Sequence, residues 1–120
     1  MSAKTSIVRH KYGATKTQVN GIVFSSRAEA ARYVQLKQLE HLGQISGLEL
    51  QPKFELAPSV RFSGSARATP PLRYYADFRY IDHLGNEIVE DVKGRPTEGY
   101  RIKKHLMLAV HGIQIHEVRA

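Results

Sequence analysis

Two carboxylates and a lysine stand together near the end of one predicted strand. The stretch "EDVKG", residues 90–94, contains Glu90, Asp91 and Lys93. Side chains alternate between the two faces of a strand, so Asp91 and Lys93 share one face and Glu90 points to the other. Because desolvating an ion is costly unless it is paired or bound to a metal, these charges either lie on an exposed edge or form a site.

A further acid, Asp77, is expected to lie opposite Asp91. The segments "YADFRY" and "EIVEDVKG" flank the turn "DHLGN", which centres a hairpin near residue 84 and pairs position 77 with position 91. Opposed side chains lie about 5 Å apart, and like charges there repel unless a hard divalent cation binds between them. The spacing leaves open a second reading, an edge hairpin with a cross-strand Asp–Lys pair.

The chemistry that such a group favours is hydrolysis of a phosphate ester. Magnesium prefers oxygen ligands and keeps several waters, so two carboxylates and a backbone carbonyl are enough to bind it. The ion lowers the pKa of a bound water and neutralises charge in the transition state. Lys93 beside it would orient the attacking water and stabilise the developing charge.

Glu29 is the candidate third acid, near the start of the clearest predicted helix, "SSRAEAARYVQLKQLEHLGQI". It precedes Leu36 by nearly two helical turns, so it points in the same inward direction. A second reading is a capping box, Ser26-x-x-Glu29, in which the carboxylate accepts from the Ser26 amide. Both readings stay open at the level of sequence.

The elements that must position these residues follow from turns, caps and periodicity. Asn20-Gly21 predicts a two-residue hairpin before the first helix. That helix is capped by Ser26 and ended by Gly43. After it come short extended pieces broken at Pro52, a long loop over residues 57–71, and one strand, "LRYYADFRYI", paired with "EIVEDVKG". The first helix's predicted inward stripe is Ala28, Tyr33, Leu36 and Leu39.

A second helix is predicted from Glu98 to His111, capped by Thr97 and ended by Gly112. Its predicted core stripe is Ile102, Leu106, Ala109 and Val110. A last strand, "IQIHEV", follows. The order of helix, three strands, helix and strand predicts an α+β domain with one mixed sheet over residues 17–120, preceded by a basic, mobile arm over residues 1–16.

Composition points to a polyanionic partner. The chain of 120 residues has a net charge of +7, with 18 Lys and Arg against 11 Asp and Glu, and bound phosphates release counterions from nucleic acid. No cysteine is present, which excludes thiolate zinc sites and disulfides. The chain has no apolar run long enough to span a membrane and no apolar signal core, so we expect a cytoplasmic protein.

The set of motifs resembles the PD-(D/E)XK nuclease superfamily. The resemblance consists of Asp77 followed by Asp91-Val92-Lys93, together with the order of elements. More closely, "FSSRAEAARYVQLKQLEHLGQI", "LQPKFEL", "YADFRYI" and "VEDVKGRPT" resemble small phage and prophage proteins described as recombination-endonuclease-like, from about residue 11 to residue 118. Ala76 stands where the superfamily name has proline.

The resemblance implies a restriction-endonuclease-like fold, an αβββαβ core preceded by a short hairpin, and an Mg²⁺- or Mn²⁺-dependent endodeoxyribonuclease acting on recombination or replication intermediates in the host cytoplasm. It implies metal binding by Glu29, Asp77, Asp91 and the Val92 carbonyl, catalysis by Lys93, and a supporting role for Gln51. The basic segments expected to contact DNA contain Lys11, Lys16, Arg61, Arg67, Arg95, Arg101, Lys103 and Lys104.

Two alternatives stay open at this stage. One is a DNA-binding or assembly protein that has a nuclease scaffold but no catalysis. The other concerns assembly, because enzymes that cut both strands often supply two sites through a twofold axis, as a homodimer would.

Overall fold

A four-stranded mixed sheet forms the centre of the structure, a computed structural model that describes residues 5–9, 15–93 and 95–120. The strands and helices in these ranges are β1 Thr5–Arg9, β2 Thr15–Val19, β3 Ile22–Phe24, α1 Arg27–His41, β4 Ile45–Leu50, β5 Lys53–Ala57, β6 Leu72–Tyr75, β7 Phe78–Asp82, β8 Glu87–Lys93, α2 Glu98–His111 and β9 His116–Arg119.

The central sheet has the strand order β4-β7-β8-β9. Its first two pairings are antiparallel and β8 runs parallel to β9, which confirms the predicted α+β class with a mixed sheet. In the β7–β8 hairpin, Phe78 lies opposite Glu90 and Ile81 opposite Glu87. The hairpin is therefore centred on residue 84, and the predicted register is confirmed.

Two smaller sheets accompany the central one. The first has the order β1-β2-β3, and its β2–β3 turn holds Asn20 at φ 51° and Gly21 at φ 79°, the left-handed pair that an Asn-Gly hairpin uses. The second is the two-stranded ribbon of β5 and β6, separated from β4 at Gln51 and Pro52 as predicted.

Helix α1 begins and ends where its caps predict. The Ser26 hydroxyl accepts a hydrogen bond from the Glu29 amide at 3.1 Å, and Gly43 at φ 75° closes the C-terminus. Its buried side chains are Glu29, Ala30, Tyr33 and Leu36, with Leu39 partly buried. The apolar ones pack with Val19, Phe24, Ile45, Phe78 and Tyr80 in one core cluster.

Helix α2 has the predicted bounds, but of its predicted core stripe only Leu106 packs against the core, and Ile102, Ala109 and Val110 are exposed. The buried positions are Tyr100 and Met107, which lie two turns apart and pack in a second cluster with Phe54, Leu56, Tyr74, Ala76, Val89 and Ile115. Ile102 is 47% exposed and Val110 53% exposed. The helix turns 100° per residue, so Ile102 lies about 200° from Tyr100 and faces away from the sheet.

The predicted strand over residues 72–81 is divided into two. β6 ends at Tyr75 and β7 starts at Phe78, so Ala76 and Asp77 lie between them. The reason is that β6 pairs with β5 in the ribbon, whereas β7 pairs with β4 and β8 in the central sheet. Asp77 therefore stands at the crossing between two sheets.

The two ends of the chain differ from the predicted element bounds. Thr5–Arg9, within the predicted mobile arm, form strand β1, which pairs with β2. Positions 1–4 and 10–14 of that arm lie outside the described residues. The last strand begins at His116 instead of Ile113. Neither helix in the described ranges is long and apolar enough to cross a membrane.

The burial pattern of α2 predicts unequal costs for two truncations on this helix. Met107→Ala leaves a cavity in the second core cluster and is expected to lower the free energy of unfolding by about 2–5 kcal/mol. Ile102→Ala removes a half-exposed side chain and is expected to cost less than about 1 kcal/mol. Urea denaturation of the two variants measures the difference, and equal costs would contradict the observed orientation of α2.

Candidate active site

The backbone of Asp77 is held from both sides at the crossing between sheets. Its amide donates to the carbonyl of Glu90 at 3.1 Å, and its carbonyl accepts from the amide of Gln51 at 3.0 Å. Gln51 has a left-handed backbone, φ 53°, which is uncommon for a residue other than glycine. These bonds fix Asp77 beside the last residues of β8.

The Asp77 carboxylate lies against a second acid. Its Oδ2 accepts a hydrogen bond from the Val92 amide at 2.7 Å. Burial, a hydrogen bond with Asp91 and the negative charges of Asp91 and Glu29 together raise the pKa of Asp77 to about 8, although the Val92 amide acts in the opposite direction. The predicted meeting of Asp77 and Asp91 across the hairpin is therefore present in the structure.

Asp91 is 4% exposed and has two further partners. Its Oδ2 accepts a hydrogen bond from the hydroxyl of Tyr74 and lies 3.3 Å from Nζ of Lys93. The Lys93 ammonium also lies 4.0 Å from the centroid of the Tyr100 ring, where a cation is attracted to the aromatic face. Asp91 and Lys93 thus share one face of β8, as strand alternation predicts.

Glu29 points into the molecule and is 5% exposed. The Ser25 hydroxyl donates a hydrogen bond to its Oε2, so of the predicted capping box the structure shows the half in which Ser26 accepts from the Glu29 amide. The charge of Glu29 contributes to the raised pKa of Asp77. The inward direction predicted from its spacing to Leu36 is confirmed.

A cleft of about 290 Å³ opens beside these acids. Glu29 and Asp77 line it together with Lys16, Ser25 and Gln51, and its apolar wall consists of Ile22, Val23, Phe24 and Leu50. The β2–β3 hairpin and the end of β4 thus give Asp77 a solvent-accessible approach. Gln51, predicted as a supporting polar residue, lines the same cleft.

The fit of a metal ion rests on the Asp77–Asp91 pair. Within the ranges that the structure describes, no three His, Cys, Asp or Glu side chains form a group that could hold a metal ion. Glu29 therefore does not join Asp77 and Asp91 as a third ligand, contrary to the expectation from the sequence. The pair itself is a set of hard oxygen donors whose mutual repulsion a divalent cation would relieve, and Mg²⁺ commonly takes only one or two carboxylates and keeps waters. The donor chemistry therefore fits Mg²⁺ or Mn²⁺.

Glu90 is kept apart from this pair by strand alternation. It is fully buried, and both its oxygens accept from Arg32 of α1, at 2.8 Å from Nε and 2.6 Å from Nη2. The Tyr80 hydroxyl donates to it as well. Such a bidentate pair compensates a buried carboxylate, so Glu90 has a structural partner on the face opposite Asp91.

Sequence reasoning did not identify Tyr74 as a partner of Asp91 or Arg32 as a partner of Glu90. The position of Arg32, four residues before Leu36, already signals an inward direction on α1. For Tyr74, the alternation of side chains along β6 indicates that it is buried. Its partner Asp91 lies on another sheet, and no residue near Tyr74 in the sequence indicates that contact.

The predicted DNA-contacting residues have different environments. Arg101 is bonded to Glu98 through Nε at 3.0 Å, and Lys104 lies 3.3 Å from Glu117 of β9. Both side chains are exposed as predicted, but each is paired with a carboxylate of the protein. Lys11 lies outside the described residues. All seven members that the structure describes are exposed, namely Lys16, Arg61, Arg67, Arg95, Arg101, Lys103 and Lys104.

Comparison with known proteins identifies a family without assigning an activity. Residues 9–118 match the model of a family described as "Protein of unknown function (DUF1064)". The chain belongs to this family. No curated protein matches the sequence, and no solved structure matches the fold.

The pKa of Asp77 predicts a pH dependence of stability. Its folded-state pKa of about 8 exceeds the ordinary value of 3.8, so the folded state binds the proton more tightly than the unfolded chain. The resulting stabilisation is complete below about pH 4 and is lost as pH rises toward 8, by at most about 1.4 kcal/mol per pH unit.

Urea unfolding in EDTA, from pH 5 to pH 8, measures this effect as the difference between wild type and Asp77→Asn. Asparagine keeps an acceptor for the Val92 amide but does not titrate, so the variant is expected to gain stability relative to wild type as pH rises. A difference that stays constant with pH would show that Asp77 titrates as an ordinary carboxyl.

Proposed function

We propose that this protein is a divalent-metal-dependent endodeoxyribonuclease that hydrolyses phosphodiester bonds with a PD-(D/E)XK-like site. One observation carries the proposal. Asp77, directly before β7, and Asp91, on β8, meet at the sheet crossing with Lys93 3.3 Å from Asp91. Their spacing in the sequence is that of the superfamily motif, and the strand, helix and sheet order is compatible with its restriction-endonuclease-like core.

Asp77 and Asp91 would hold Mg²⁺ or Mn²⁺, with the Val92 carbonyl as a further oxygen donor. When bound, the ion supplies a water of lowered pKa and stabilises negative charge on the phosphate. Tyr74, by its hydrogen bond to Asp91, and the Val92 amide, by its bond to Asp77, fix the orientation of the two carboxylates.

Lys93 provides the cationic group of the site. Its ammonium is positioned by Asp91 and by the Tyr100 ring, and its side chain remains partly exposed. From there it donates a hydrogen bond to the attacking water or to a phosphate oxygen. A positive charge held at that place stabilises the transition state, which has extra negative charge, more than it stabilises the ground state.

DNA is the substrate that the charge distribution favours. The net charge of +7 and the exposed Lys16 at the rim of the cleft provide phosphate contacts around a site that is itself acidic. Recombination or replication intermediates of a phage or prophage, reached in the host cytoplasm, are the proposed biological substrates. A DNA-binding protein without catalysis is the alternative that an absence of cleavage would support.

The deciding experiment is a cleavage assay on duplex, single-stranded, nicked and four-way-junction DNA with Mg²⁺ or Mn²⁺. Wild type is expected to cleave at least one substrate. Lys93→Met is expected to lower the rate by about 10²–10⁴-fold, the range for losing a proton-donating group. Asp91→Asn is expected to abolish cleavage, because it removes half of the acid pair.

Glu55→Gln is the matched control, since Glu55 is an exposed carboxylate on β5, and it is expected to cleave as wild type does. Circular dichroism establishes that each variant is folded. Full cleavage by Asp91→Asn, or cleavage that continues in EDTA, would contradict the assignment of this site.

A further inference from the structure

The β5–β6 ribbon presents one apolar and one cationic face. Phe54, Leu56 and Tyr74 point inward to the second core cluster. The alternate residues are exposed, with Lys53 opposite Tyr75 across the ribbon. Tyr75 is 53% exposed. The outward face therefore offers positive charge beside an aromatic ring.

Residues 58–71 extend this ribbon into an ordered tip. The Thr69 amide donates to the Val60 carbonyl at 2.6 Å, and the Val60 amide donates to the Thr69 hydroxyl at 3.0 Å. Beyond them, the Ser65 amide donates to the Phe62 carbonyl at 3.0 Å, closing a tight turn in which Gly64 has φ 82°. The tip is thus closed by hydrogen bonds between its own residues.

This tip exposes its large apolar side chains. Phe62, at the start of the turn, is 66% exposed and Val60 is 50% exposed. Arginine flanks Phe62 on the chain at Arg61, whose Nε donates to the Ser65 carbonyl at 3.1 Å across the turn. Arg67 follows the turn and is exposed. The turn therefore presents an aromatic ring to solvent, with an arginine before it and another after it in the chain.

The cations of the ribbon and tip form no ion pairs with other described residues of the protein. Among the residues that the structure describes, no carboxylate lies within ion-pair distance of the four cations on this surface, which are Lys53, Arg61, Arg67 and Arg73. Glu55 stands opposite Arg73 across the ribbon without closing such a pair. This surface combines positive charge with exposed aromatic side chains. DNA is complementary to both, because it has anionic phosphates and planar bases.

The ribbon is joined directly to the candidate active site. Tyr74 of β6 donates to Asp91, and Asp77 follows β6 by two residues. Phe62 precedes Asp77 by fifteen positions, so even a fully extended chain places the Phe62 backbone at most about 50 Å from that of Asp77. That span is roughly one and a half turns of B-DNA, so one duplex reaches both.

We propose that the tip of the β5–β6 ribbon recognises an interruption in the base stack of DNA, with Phe62 inserted between neighbouring bases and with Arg61 and Arg67 on the flanking phosphates. The inference rests on the proposed function for the choice of DNA as partner, and it specifies the substrate class, namely nicked, flapped or branched duplex. Apolar side chains inserted between base steps unstack them, at a cost that an existing interruption removes. Binding to interrupted DNA should therefore be tighter than binding to a continuous duplex.

The test measures binding in EDTA, where cleavage is suppressed, by fluorescence anisotropy. The probes are a continuous 30-base-pair duplex and the same sequence with a central nick, each labelled with 2-aminopurine beside the centre. Wild type is expected to bind the nicked duplex at least about tenfold more tightly, with increased 2-aminopurine fluorescence from unstacking. Phe62→Ala is expected to bind the two duplexes equally, without the fluorescence increase.

Two further variants separate insertion from general effects. Leu84→Ala truncates another large exposed side chain, 74% exposed in the β7–β8 turn, and is expected to keep the wild-type preference. Arg67→Ala is expected to weaken binding to both duplexes by the same factor and to reduce the salt dependence by about one counterion.

A Phe62→Ala variant that keeps the preference for nicked DNA, or wild type that binds both duplexes equally or neither of them, would overturn the inference. The experiments distinguish failure of this inference from failure of the proposed nuclease activity. Phe62-dependent recognition of the nick, with no cleavage in Mg²⁺ or Mn²⁺, would remove the enzyme and keep the recognition. Cleavage in Mg²⁺ or Mn²⁺, with a preference for nicked DNA that does not depend on Phe62, would keep the enzyme and remove the recognition.

Discussion

Two carboxylates share one small space where the chain passes from the β5–β6 ribbon into the central sheet. Asp77 lies at that crossing, and the register of the β7–β8 hairpin brings Asp91 against it. Because burial and repulsion raise the pKa of Asp77 to about 8, the protein holds a proton there at neutral pH in place of a second negative charge. Two carboxylates this close together destabilise the folded state unless a ligand lies between them. A hard divalent cation is the ligand that suits two oxygen donors.

The rest of the site follows from how β8 distributes its charges between two faces. Glu90 points toward α1, and Arg32 of that helix and Tyr80 of β7 satisfy both its oxygens. Asp91 lies on the opposite face of β8, where its partners are Tyr74 of β6 and Lys93. Alternation along one strand thus separates a carboxylate that stabilises the core from one that is available for chemistry. The same alternation places Lys93 beside Asp91 and above the ring of Tyr100.

Local signals were sufficient to predict much of this arrangement. The turn at residues 82–86 fixes the hairpin register, the caps Ser26 and Thr97 fix the helix starts, and the spacing from Glu29 to Leu36 fixes the inward direction of the acid. Each of these signals acts within a few residues, so sequence reasoning reaches it. The meeting of Asp77 with Asp91 follows from the register alone.

The remaining features depend on contacts between distant segments. Of the predicted buried face of α2 only Leu106 was correct, because the exposed aliphatic residues of the helix outnumber Tyr100 and Met107, yet these two fill the space above the sheet. The break at Ala76 arises because neighbouring residues pair with different sheets. The partner of Glu90 lies 58 residues away, and nothing near Glu90 in the chain indicates it.

The most direct test of the central claim is anomalous diffraction from crystals of the protein soaked in Mn²⁺. The account predicts one strong anomalous peak within about 2.5 Å of a carboxylate oxygen of Asp77 and of Asp91, at the distances usual for a hard divalent cation. The contradicting result would be no anomalous peak between the two carboxylates at high Mn²⁺ concentration, in a well-ordered site where Asp77 is still bonded to Asp91.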